Sequence, residues 1–176
     1  LLGTTGEPCT LSMDERERII EIGLECTGGS IPVIVGTGSN DTRRAIEYAR
    51  QAQRLGAAGQ LSVTPYYNKT TQSGLIRHYH AILDACPLPM ILYNVPGRTG
   101  MGLSADTAAA LSRHSSVVGL KEASGNSALT GEILEKTRGD YAQAQVCNLR
   151  GTREGECPAC AGKLRRNQRR FQHSAR

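Results

Sequence analysis

Four short apolar runs recur along the chain at intervals of about 30 residues: Val33-Ile34-Val35, Leu61-Ser62-Val63, Ile91-Leu92-Tyr93 and Gly119-Leu120-Lys121. Each is brief and rich in branched side chains, the pattern of a strand covered on both faces, as in parallel sheets.

Amphipathic segments lie between the runs. Ser12-Met13-Asp14-Glu15 fits a capping box, and Ile19, Ile20, Gly23 and Leu24 then recur on one helical face. Ala45, Tyr48, Ala49, Ala52 and Leu55 form a second stripe that ends at Gly56. Leu75, Tyr79, Ile82 and Leu83 form a third, closed by Pro87. A fourth helix is predicted from a Ser104 cap through Leu111, and a fifth between Gly125 and Gly139.

Strands alternating with helices predict an α/β fold with a parallel sheet, either doubly wound or a (β/α)8 TIM barrel. The nearly constant period favours the barrel. So does the placement of polar and reactive residues at the C-terminal ends of the strands, where barrel enzymes build their sites. Eight units need about 250 residues, and the chain has 176. The count matches about strands two to six of a barrel, with Leu1-Leu2-Gly3 reading as a start inside an element.

Charge divides the chain in two. Residues 1–140 are nearly neutral, whereas residues 141–176 hold eight of the 21 Lys/Arg and only two of the 16 acids. The overall +5 therefore belongs to the tail and says nothing about partners of the main body. The expected organisation is a partial barrel over 1–140 and a basic tail over 141–176 without recognisable structure, patterned like a stretch read out of frame. No apolar run approaches membrane-spanning length and no secretory leader opens the sequence, so a soluble cytoplasmic protein is expected, with its six cysteines reduced.

Four groups of residues carry candidate chemistry. Lys121 ends an apolar strand, where lost hydration lowers an amine's pKa and frees it to attack a carbonyl; a strand-end lysine reaching solvent is the commoner case. Tyr93 ends the preceding strand with a phenol able to relay protons, and Arg98 in the following loop offers a planar fork for a carboxylate. Gly3-Thr4-Thr5-Gly6-Glu7 places two hydroxyls and free backbone amides at a strand-to-helix turn. Thr64-Pro65-Tyr66-Tyr67-Asn68 ends another strand. Each feature alone has an ordinary structural explanation, but all four fall on one end of the sheet.

These motifs, together with Gly36-Thr37-Gly38, Tyr93-Asn94-Val95-Pro96-Gly97-Arg98-Thr99-Gly100 and Lys121-Glu122-Ala123-Ser124-Gly125-Asn126, resemble in order and spacing those of the dihydrodipicolinate synthase family. The resemblance covers residues 1 to about 140. It implies a TIM barrel, usually a homotetramer, that condenses pyruvate with aspartate semialdehyde in lysine biosynthesis without a metal or organic cofactor. It implies that Lys121 forms the imine, that Thr4, Tyr93 and Tyr67 relay protons, and that Tyr67 reaches into a neighbouring subunit's site. Gly3 and Thr5 would hold the pyruvate carboxylate, and Arg98 that of the semialdehyde. Related members cleave sialic acid or sugar acids with the same lysine and tyrosine; the double threonine and the Arg98 loop favour the synthase.

The resemblance also implies a regulatory pocket in lysine-inhibited members. Asn40 and Tyr66 match it, but Arg44 replaces an acidic residue, and Met13 and Arg16 replace histidines. In the tail, Cys157-Pro158-Ala159-Cys160 has the spacing of half a zinc site, with Cys147 and His173 as the candidates to complete it, but a C-x-x-C without a second, similarly spaced pair is a weak signal and no metal is expected. A competing reading makes the chain an inactive fragment whose basic tail binds nucleic acid or acidic surfaces. That reading has charge but no motif and no interleaved aromatics, so neither a nucleic-acid nor a membrane partner is expected.

Overall fold

The structure is a computed structural model that describes residues 1–137 and the backbone of residues 145–148. Two short 3-10 turns, Thr4–Gly6 and Pro8–Thr10, precede helix α1 (Met13–Thr27). The capping box forms: Ser12 N–H donates to Glu15 Oε2 at 2.8 Å, and Glu15 N–H donates to Ser12 Oγ at 3.3 Å. Then follow β1 (Ile34–Gly36), α2 (Thr42–Leu55) behind an Asp41 cap, and β2 (Gly59–Val63). Helix α2 ends at Gly56, whose φ of 93° a side chain would oppose.

Helix α3 (Gln72–Ala85) stops ahead of Pro87, and β3 (Met90–Asn94) runs into a one-turn helix, α4 (Pro96–Thr99). The sequence pattern places only a loop at α4. Pro96 has the fixed φ that starts a helix, but one turn is too short to show a periodic stripe. Helix α5 (Ala105–Ser112) begins at the Ser104 cap, and β4 (Val117–Glu122) leads to α6 (Ser127–Lys136), capped by Asn126.

A last strand, β5 (Gln145–Asn148), pairs Gly119 with Gln145 through Glu122 with Asn148. It falls in the stretch, residues 141–176, where the sequence predicts no recognisable structure. Without β5 the outer edge of β4 would present unpaired amides and carbonyls, and a segment pairs with such an edge through backbone alone, with no apolar pattern to announce it. The set Cys147, Cys157, Cys160 and His173 lies outside the residues whose side chains are described.

The five strands are parallel and stand in the order β1-β2-β3-β4-β5. A doubly wound sheet reverses its strand order at a switch point, whereas a barrel adds each strand beside its predecessor. The sheet is that of a partial TIM barrel. On the outer edge of β1, the Leu1 amine donates to Ile34 O at 2.7 Å and Gly36 N–H donates to Leu1 O at 2.9 Å.

Helices cover the sheet through the stripes read from the sequence. Leu75, Tyr79, Ile82 and Leu83 of α3 are all essentially inaccessible, each large apolar side chain contributing about 1.5–3 kcal/mol on burial. Ala45, Ala49 and Ala52 let α2 approach closely. Gly38 is required by contact: a Cβ there would lie 2.5 Å from Val63 N. Among the described residues, no helix is long and apolar enough to cross a membrane.

Candidate active site

Strand register brings the site together. Tyr93 of β3 pairs with Lys121 of β4, one residue short of the C-terminal end of each strand. Both side chains therefore leave the sheet on the same face, and Lys121 Nζ stands 4.2 Å from the centroid of the Tyr93 ring. Partial burial holds the Lys121 amine below the usual lysine range. The ring face attracts the protonated form and opposes that shift, but desolvation is the larger effect.

The next register pair holds the two strand ends in place. Asn94 and Glu122 are both buried, and Asn94 Nδ2 donates to Glu122 Oε2 at 2.7 Å. The remaining oxygens bind the loops that follow: Leu103 N–H donates to Asn94 Oδ1 at 3.0 Å, and Ser124 N–H donates to Glu122 Oε1 at 2.6 Å. Both residues lie within the family-like motifs, but the sequence alone assigns neither a role. Their position directly after the Tyr93–Lys121 pair in each strand was the available signal.

A second clamp fixes the loop that carries Arg98. The Thr64 hydroxyl beyond β2 donates to Thr99 Oγ1 at 3.2 Å, and the Thr99 hydroxyl donates to Met101 O at 2.6 Å. Thr64 N–H donates to Tyr93 O at 3.1 Å. Similarly, the Thr37 hydroxyl after β1 donates to Gln60 Oε1 at 2.9 Å, laying Gly36-Thr37-Gly38 over β2.

A cavity of about 400 Å³ opens beside this end of the sheet, within the range of about 300–1,000 Å³ typical of small-molecule sites. Gly3, Thr4, Tyr93 and Arg98 line it. Lys121 is not on the cavity wall and approaches it only through its contact with the Tyr93 ring. Four of the seven expected residues thus line one cavity, and strand register holds Lys121 against one of them. Thr5 is exposed and is not part of the cavity wall, and Tyr67 points away with 93% of its surface exposed. Tyr67 also has a φ of 69°, a conformation rare for an aromatic residue.

Arg16 also lines the cavity, with Cys9, Tyr48 and Tyr66. It is almost fully buried, its guanidinium lies 3.7 Å from the centroid of the Tyr48 ring, and Nη2 donates to Gly36 O at 2.8 Å. In the sequence Arg16 stands out only as a replacement for a histidine of the family's regulatory pocket. It sits one turn before Ile20 on the buried face of α1, and that spacing was the missed signal.

The description "Dihydrodipicolinate synthetase family" is that of a family model matching residues 1–143. This chain belongs to that family. It is 53% identical over 133 residues to a 4-hydroxy-tetrahydrodipicolinate synthase of Pelobacter propionicus, covering 76% of this chain and 46% of the relative. It is 54% identical over 132 residues to the same-named enzyme of Geotalea daltonii, covering 75% and 46%. Among solved structures, a dihydrodipicolinate synthase from Thermotoga maritima superposes with a TM-score of 0.78 at 42% identity, covering 83% of this chain and half of that one. The Acinetobacter baumannii enzyme, solved with pyruvate, gives 0.77 at 48% identity over 81% of this chain and 48% of that one. The chain spans about half the length of these relatives.

Proposed function

We propose that this chain supplies the catalytic lysine, tyrosine and carboxylate-binding arginine of a 4-hydroxy-tetrahydrodipicolinate synthase, which condenses pyruvate with aspartate semialdehyde. The observation that carries the reading is the Tyr93–Lys121 register pair, with its desolvated amine beside a cavity walled by Thr4 and Arg98.

In the proposed reaction the neutral Lys121 amine adds to the pyruvate carbonyl and water leaves, giving an imine. The cationic imine acidifies the adjacent methyl group, and loss of a proton gives an enamine that attacks the aldehyde carbon. Tyr93 and Thr4 move protons for both steps. Gly3 on the cavity wall binds the pyruvate carboxylate, and the Arg98 guanidinium binds that of the semialdehyde. A small carboxylated aldehyde calls for that cation and a polyhydroxylated sugar acid does not, so Arg98 on the cavity wall favours the synthase over a sugar-acid aldolase.

Tyr67 completes the relay of a neighbouring subunit in a homo-oligomer, a role supported by its exposure and its position off the cavity. The chemistry uses no metal or organic cofactor.

Borohydride trapping tests the proposal. Incubation with pyruvate and sodium borohydride should add one stable mass increment, mapped by peptide digestion to Lys121, and Lys121→Arg should abolish it. An adduct at another lysine, or one that persists in the variant, would overturn the assignment.

A further inference from the structure

Three potential ligands converge on the outer helical layer, away from the cavity. His80 and Asp84 stand one turn apart on α3, and His114 follows α5 by two residues. Their candidate ligand atoms all lie within 4.8 Å of one another. The two imidazoles meet edge to face, with centroids 5.7 Å apart and planes at 70°. Both histidines are half-buried and Asp84 is exposed, so the carboxylate is free to swing towards the rings.

The geometry points to a divalent transition-metal site, of zinc type, built from His80, Asp84 and His114. Residues four apart on a helix share a face, which suits His80 and Asp84 to chelation. Two imidazoles and a carboxylate form a borderline donor set that suits zinc, and three protein ligands leave one position for water. Metal–ligand bonds of about 2.0–2.2 Å require the donor atoms to draw closer than they stand. Small side-chain rotations accomplish that at a surface where one ligand is exposed and two are half-exposed.

The backbone contains a reporter of loading. Ser116 N–H donates to His114 Nδ1 at 3.2 Å. Metal bound at Nδ1 takes that lone pair, and metal bound at Nε2 leaves the ring proton on Nδ1; either mode removes the acceptor. Ser116 O in turn accepts from Met90 N–H at the start of β3 at 2.7 Å. The metal would thus act as a clip joining α3 to the turn between α5 and β4, outside the catalytic chemistry.

The test is titration of the full-length chain with Zn²⁺, followed by calorimetry and by the Ser116 amide resonance. Cys147→Ser, Cys157→Ser and Cys160→Ser are introduced together so that tail thiols do not compete. One saturable equivalent, a displaced Ser116 signal and a raised melting temperature are expected. Affinity should fall at least tenfold in His80→Gln and in His114→Gln, with the metal-free melting temperature of each variant serving as its folding control. Co²⁺ should give a spectrum without a thiolate charge-transfer band. Undiminished binding in the His80→Gln/His114→Gln double variant, a thiolate band, or an unmoved Ser116 signal at saturation would each overturn the site.

Discussion

Lys121 Nζ lies 4.2 Å from the centroid of the Tyr93 ring because the two residues are register partners on adjacent parallel strands. Neither a flexible loop nor an interdomain hinge sets their separation. A pair fixed this way is preorganised, which is what a general acid–base partner needs. Tyr93→Phe keeps the ring against the amine and removes only the phenol. We expect kcat to fall by about 10²–10⁴-fold while borohydride still traps pyruvate on Lys121, at a lower rate. Wild-type turnover in the variant would remove Tyr93 from the proton relay.

In the proposed reaction the amine must be neutral to attack, and burial lowers the Lys121 pKa. The rate of imine formation should therefore rise with pH through a midpoint below the free-lysine value of about 10.4. Stability follows the same sign: protonation is disfavoured in the folded state, so Lys121 costs stability as pH falls through its lowered pKa. Single-turnover trapping across a pH series gives the midpoint directly, and a midpoint at or above the free value would contradict the desolvation account.

Glu122 joins three elements through its two oxygens, accepting from Asn94 Nδ2 and Ser124 N–H. Glu122→Ala leaves the buried Asn94 amide without its acceptor and frees the loop after β4. An orphaned buried polar group costs about 1–3 kcal/mol. Denaturant unfolding should show a loss of that order, with activity reduced because Lys121 is the adjacent residue. A change under 0.5 kcal/mol would make the network ornamental.

Inhibition of this protein by lysine should be weak or absent. Arg16 stacks on Tyr48 at 3.7 Å, and the Arg44 guanidinium lies 5.9 Å from the same ring. The resemblance puts Arg44 where lysine-inhibited members carry an acidic residue, and two cations at one ring disfavour a cationic effector beside it. Half-inhibition of an active form by sub-millimolar lysine in a coupled assay would contradict this.

The sequence made legible what backbone period and strand ends encode. The α1 capping box, the α3 stripe and the five ordered motifs carried the fold class and the Tyr93–Lys121 pair. It did not disclose β5, whose pairing is a backbone event, or the one-turn helix at Pro96. Nor did it reveal the burial of Arg16: a charged residue on an apolar stripe announces itself only when a ring such as Tyr48 is known to lie opposite. The convergence of His80, Asp84 and His114 depends on how α3 packs against the turn after α5, which no linear spacing records.

His78 gives the chain a defined sensitivity to acid. It is buried on α3, its Nδ1 lies 2.8 Å from Thr42 Oγ1, and burial pushes its pKa down to about 4. In the unfolded chain the ring titrates near 6.5. Between those values the unfolded state binds the proton and the folded state does not, so stability is full above about pH 6.5 and falls as pH drops towards 4. A shift of this size corresponds to roughly 3 kcal/mol at the acid end. His78→Gln retains a polar side chain for Thr42 and removes the titration. Its unfolding free energy should be lower than wild type at neutral pH, where the Thr42 contact is perturbed, yet flatter from pH 6.5 to 4. Parallel pH profiles for the two proteins over that interval would show that His78 is not the group responsible.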